Sequence, residues 1–140
     1  MKETHVVTCF LENKAKILLL CRSGQVGSYT QRWAGISGYI EPGQSPMEQA
    51  LQEISEETGV NKDEVKLLQE GLPLEVIDET LGKIWMVHPF RFQVDTPEKI
   101  QIDWEHSECR WIEPEEIQNY STVPGLYSAW ERVRSYQEIR

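Results

Sequence analysis

The spacing of apolar and polar positions divides the chain into short strands and three helices. Residues 5–11 (HVVTCFL) are β-branched and apolar and predict a first strand, followed by a turn at 12–14. Residues 16–22 (KILLLCR) predict a second strand, apolar enough to lie deep in a sheet and joined to the first as a hairpin. A polar loop over 23–30 leads to a short strand at 31–36 that carries Trp33. Beyond a helix that lies between Ser45 and Gly59, 61–64 reads as a turn and 65–72 as a strand that 74–78 continues past Pro73. A turn at 79–82 precedes the longest strand candidate, 83–94, where Pro89 predicts a bulge or an edge position because proline cannot donate to a ladder. A brief strand is expected at 100–102, a last one at 109–112, and a short helix from Pro114. The chain closes on an amphipathic helix over 126–137, with Leu126, Trp130 and Val133 on one side. Strands interleaved with helices whose apolar faces need cover predict an α/β architecture, a mixed sheet between helices. No repeat or composition shift divides the chain, so residues 1–140 read as one domain.

The most informative stretch is 38–60, GYIEPGQSPMEQALQEISEETGV. Ser45 is a good N-cap, Pro46 suits the first helical position, Glu48 completes a capping box and Gly59 is a natural stop. At helical spacing Met47, Ala50, Leu51, Ile54 and the Thr58 methyl gather on one side, and Glu53, Glu56 and Glu57 on the other. No Lys or Arg on this helix relieves the three acids. They predict either a solvated acidic face or a site for a hard divalent cation, which takes carboxylate oxygens.

Charge and cysteine content narrow the function classes. A formal net charge of −9 argues against binding a nucleic-acid polymer or an anionic membrane, which need a basic surface, but leaves room for a small phosphorylated ligand. Cys9, Cys21 and Cys109 are odd in number and lack metal-site spacing, so they read as reduced thiols, with Cys9 and Cys21 in the core. The first residues are too charged for a signal peptide and no apolar run reaches membrane-spanning length, which predicts a cytoplasmic protein.

Gly38, Glu53, Ile54, Glu56, Glu57, Gly59 and Val60 stand at the spacing of the Nudix box, G-x5-E-x7-R-E-U-x-E-E-x-G-U with U a bulky aliphatic, and the chain resembles that family. It departs at Gln44, where the pattern has Glu, at Gln52, where it has Arg, and at Ser37, where a Gly usually precedes Gly38. The resemblance implies an α/β/α sandwich with a mixed central sheet. It also implies a metal-dependent pyrophosphohydrolase (MutT-like) that directs water at a nucleoside di- or triphosphate, or at a nucleoside diphosphate linked to some group X. It implies Mg²⁺ or Mn²⁺ held by Glu53, Glu56, Glu57 and the Ser37 carbonyl. It further implies an acidic residue from the segment before the last strand, where Glu105 is the first choice and Glu108 the second; His106 and Glu53 compete as general base.

For the substrate, Arg22 and Arg32 could clamp phosphate, and Trp33 and Tyr39 could stack on a base; Trp85 could do so too, but strand aromatics are usually core. Trp111 and Trp130 read as packing, and Glu12 and Glu70 as solvated acids. The expected partner is a small nucleotide, and a homodimer is left open. The rival reading is a catalytically weakened Nudix-like module that binds a nucleotide or regulates a partner, favoured by Gln44 and Gln52. A third is a plain structural domain with no metal affinity.

Overall fold

Two central strands, β1 (Lys2–Asn13) and β7 (Lys83–Val94), run parallel from Lys2↔Lys83 to Glu12↔Gln93 in the computed structural model, which describes residues 1–135. Around them stand β2 (Lys16–Arg22), β3 (Trp33–Ala34), β4 (Ile36–Tyr39), β5 (Val65–Glu70), β6 (Leu74–Asp78) and β8 (His106–Ile112), all in one mixed sheet. Strand alternation sends Val7, Cys9, Leu11, Phe90 and Phe92 to one face, covered by α1 (Pro46–Thr58) through Ala50 and Ile54. Phe10, Trp85 and Val87 go to the other face, covered by α2 (Leu126–Val133) through Leu126, Ala129, Trp130 and Val133. The α/β/α sandwich expected from the sequence is the architecture found.

The sheet forks. β1 pairs with β2 only beside their hairpin, at Glu12↔Ile17 and Asn13↔Lys16. Farther along, β4 takes the edge of β1 from Val6↔Tyr39 to Cys9↔Ile36, while β3 takes the edge of β2 at Leu20↔Ala34 and Cys21↔Trp33. Residues 31–36 are therefore not one strand but the approach to two, and Gly38 and Tyr39 belong to β4.

Several expectations are corrected. Pro89 lies in a central strand, not at an edge. Its carbonyl accepts the Gly71 N–H at 3.0 Å, so its missing N–H falls on the side where β5 ends and β6 begins, each pairing separately with β7. No strand forms at 100–102: Gln101 donates its N–H to the Thr58 carbonyl at 2.9 Å, while Ile100 and Ile102 pack under α1. The last helix ends at Val133, and Gln137 lies outside the described residues. Glu12 is no solvated acid; its Oε1 accepts from Arg91 Nη1 at 2.9 Å, and Arg91 Nε donates to the Val133 carbonyl at 2.7 Å. Cys9 and Cys21 are buried free thiols. No helix among the described residues is long and apolar enough to cross a membrane.

Candidate functional site

A cleft of about 420 Å³ opens beside the fork. It brings together Arg22 from the end of β2, Ser37, Gly38 and Tyr39 from β4, Glu53 and Glu56 from α1, and Glu105 from the turn that leads into β8. Trp85 and Tyr29 also line it.

Local chemistry fixes the helix that carries the acids. Ser45 Oγ accepts the Glu48 N–H at 3.1 Å, and Glu48 Oε1 accepts the Ser45 N–H at 2.9 Å, closing the capping box. Gly59 ends the helix in the left-handed region at φ 77°, its N–H reaching the Ser55 carbonyl. Between these stops the acids do not form an outer face opposite the apolar one. Glu56 is exposed, Glu53 half-buried and Glu57 fully buried, because α1 turns Gln49, Glu53 and Glu57 along the flank that meets the sheet.

That placement controls their protonation. Burial pushes the Glu57 carboxyl up to about 11, helped by its hydrogen bond to Glu53 and by the charges of Glu53, Glu105 and Asp103. Burial also raises Glu53, opposed by hydrogen bonds from Glu57 and Gln49, and raises Glu105, with Asp103 adding to the effect. The thiol of Cys9, beneath them, is raised by burial and then by Glu57 and Glu53. His106 is buried and its basicity lowered by that burial; its Nδ1 lies 3.0 Å from Asp103 Oδ1 and its Nε2 lies 3.6 Å from Glu57 Oε1. The last separation is too long for a hydrogen bond.

Among the described residues, no three His, Cys, Asp or Glu side chains converge closely enough to hold a metal ion in the arrangement seen. The donor set nevertheless suits a hard cation. Glu57 Oε2 is buried without a hydrogen-bond partner, and a second acid, Glu53, stands beside it. An orphaned acceptor between acids is the chemistry a divalent ion satisfies with oxygen ligands.

The remaining sequence candidates separate. Arg22 lines the cleft, its Nε donating to the Ser28 carbonyl at 3.0 Å. Arg32 does not line it: its Nη1 holds the Thr122 carbonyl at 2.9 Å. Trp33 packs edge-on against Tyr120 beneath Arg110, on the α2 side of the sheet. Glu108 is paired with Arg110 at 3.2 Å on an exposed part of β8. In place of Trp33 the structure puts Trp85 against Tyr39, ring centroids 6.1 Å apart, with Lys83 Nζ 4.7 Å from the Trp85 ring. Tyr29 joins them, its hydroxyl accepting from Trp85 Nε1 at 3.0 Å and donating to Asp78. Parity along β7 makes Trp85 a core residue in sequence, and only the fork exposes one side of it; nothing local signals Tyr29.

A protein-family model described as the NUDIX domain matches residues 2–132. The asymmetrical bis(5'-nucleosyl)-tetraphosphatase of Caenorhabditis elegans is 26% identical over 119 residues, covering 83% of each chain. A nucleoside triphosphatase, NudI, of Escherichia coli is 26% identical over 129 residues, covering 86% of this chain and 89% of the relative. Among solved structures, the MutT protein from Methanosarcina mazei Go1 superposes with a TM-score of 0.78 at 22% identity, covering 94% of this chain and 92% of that one. The C. elegans Ap4A hydrolase in a binary complex gives 0.72 at 18% identity, covering 94% of both chains.

Proposed function

The chain belongs to the NUDIX family and is a hydrolase of phosphoanhydride bonds, and from that premise we propose that it cleaves a nucleoside di- or triphosphate, or a nucleoside diphosphate linked to a further group, with Mg²⁺ or Mn²⁺. One observation carries the reading. Glu53, Glu56 and Glu105 share a single cleft with a cation, Arg22, and an aromatic pair, Tyr39 and Trp85. Relatives named for nucleoside triphosphates and for bis(5'-nucleosyl) tetraphosphates support a nucleotide as the ligand.

In this reading Glu53, Glu56, Glu57 and the Ser37 carbonyl hold the divalent ion. That ion supplies positive charge against the phosphoryl oxygens. Arg22 neutralises the phosphate chain at the end of β2, and Tyr39 and Trp85 receive the base. Glu105 is the proposed general base, because it lines the cleft and burial raises its proton affinity toward the working range. Three free thiols support a reducing, cytoplasmic setting.

A nucleotide panel assayed with Mg²⁺ for phosphate or pyrophosphate release tests the proposal, with release abolished in Glu56→Gln as the expected result. The rival, a nucleotide-binding module without turnover, draws on the neutral Gln44 and Gln52 beside the acids. Binding without release in the same panel would support it.

A further inference from the structure

Two side-chain amides run in parallel down α1. Gln49 and Glu53 are one turn apart, and Gln49 Nε2 donates to Glu53 Oε2 at 2.7 Å. Gln52 and Glu56 repeat the spacing, with Gln52 Nε2 donating to Glu56 Oε2 at 2.9 Å. Each amide is also held from the loop before the helix. Gln49 Oε1 accepts the Glu41 backbone N–H at 3.0 Å, and Gln52 Oε1 accepts from the Gln44 side-chain amide. Gln49 is completely buried, and both ends of its amide are hydrogen-bonded, as a buried polar group requires.

The polarity of both chains follows from the acids. A carboxylate accepts and cannot donate, so each glutamine must turn its NH₂ toward Glu53 or Glu56. Its oxygen then faces the loop, which must present a donor. A backbone N–H meets that need at Glu41, and a neutral amide meets it at position 44. A carboxylate at 44 would set oxygen against oxygen, and flipping Gln52 would only move the clash to Glu56.

We propose that Gln49 and Gln52 are positioning residues that transmit the geometry of the 41–44 loop to the Glu53 and Glu56 carboxylates, with Gln44 an obligate partner of Gln52. The role in turnover rests on the hydrolase reading above; the hydrogen-bond relays themselves do not. Gln44 and Gln52 therefore act as a matched pair, and neither is a defect by itself.

The experiment has two arms. In metal-free protein, the side-chain amide resonances of Gln49 should shift in Glu53→Gln while those of Gln52 and Gln44 shift in Glu56→Gln. Unresponsive amides would overturn the relays. In turnover, the isosteric Gln49→Glu and Gln52→Glu should lower kcat about ten-fold or more, with KM changed far less and melting confirming a folded protein. Gln44→Glu should lose kcat similarly. Gln44→Glu combined with Gln52→Arg should recover most of it, because a guanidinium donates to both carboxylates. Wild-type kcat in the folded single variants, or losses that multiply in the double variant, would overturn the positioning role. A wild-type protein inactive on every nucleotide would defeat the hydrolase reading and leave the resonance arm to decide the relays.

Discussion

Gly38 faces the Glu53 carboxylate so closely that a β-carbon at position 38 would overlap it. Glycine is required here by space and not by backbone conformation, since Gly38 is absent from the positive-φ residues. Gly38→Ala should push Glu53 out of the cleft. Displacing a reacting or ligating group by about an ångström reduces rate by roughly 100-fold. The expected result is a loss of that order in kcat with melting little changed, because the movable carboxylate yields before the strand does. Unaltered kcat in the alanine variant would detach Glu53 from the chemistry.

Glu57 sets the pH response of the metal-free protein. Its carboxyl is pushed from an ordinary 4.5 up to about 11 in the folded chain, first by burial and then by its bond to Glu53. The folded state therefore holds a proton that the unfolded state releases above its own pKa. Stability contributed by this group is fully present below about 4.5 and is lost as pH rises through that window, by at most about 1.4 kcal/mol per pH unit. Glu57→Gln keeps the shape without the ionisation, so at neutral pH the metal-free variant should melt higher than wild type and show a flatter pH profile. Thermal melts in chelator from pH 5 to pH 9 measure both, and parallel profiles for the two proteins would refute the assignment.

The helix that carries the acids was the most legible part of the chain, because Ser45, Pro46, Glu48 and Gly59 act locally and do in the fold what their chemistry predicts. The sandwich followed from strands interleaved with helices whose apolar faces need cover. Features depending on distant segments were not legible. Trp85 looks like any core aromatic until the parting of β1 and β2 opens a cleft on one side of it. Pro89 reads as a bulge or an edge residue until β5 and β6 are seen to meet opposite it. Arg32 and Trp33 adjoin the acid-bearing stretch in sequence, yet a Thr122 carbonyl and the Tyr120 ring claim them. The i, i+4 pairs Gln49–Glu53 and Gln52–Glu56 could have been read from spacing alone, since helix geometry makes such residues neighbours.

Arg91 ties the sheet to the closing helix. It is 8% exposed and bonds both Glu12 and the Val133 carbonyl, so truncation strands a partly buried acid and a helix-end carbonyl together. Breaking such a pair by removing one partner is strongly destabilising, and Arg91→Met should lose about 3 kcal/mol in urea unfolding. Glu12→Gln should lose less, because the amide oxygen still accepts from Arg91. Equal losses in the two variants would contradict the asymmetry.

The aromatic end of the cleft governs base preference. Trp85 Nε1 donates to the Tyr29 hydroxyl, that hydroxyl donates to Asp78, and the other Asp78 oxygen accepts the Leu81 N–H at 3.2 Å. These polar groups are committed to one another, and burial with the Asp78 bond raises the Tyr29 phenol to about 12, so it stays a donor. What these three side chains leave for a ligand, beside Lys83 Nζ, is ring surface, including that of Tyr39, which is 55% exposed. Stacking is worth about 1–3 kcal/mol per base and does not read base edges. ATP, GTP, CTP and UTP should therefore differ in kcat/KM by no more than about ten-fold, purines leading by stacking area. Tyr39→Ala should raise KM for all four together, whereas Trp85→Phe, which keeps a ring face, should change little. A preference above about 100-fold for one base exceeds what unaided stacking supplies and would mean that an edge-reading donor or acceptor lies elsewhere in the cleft.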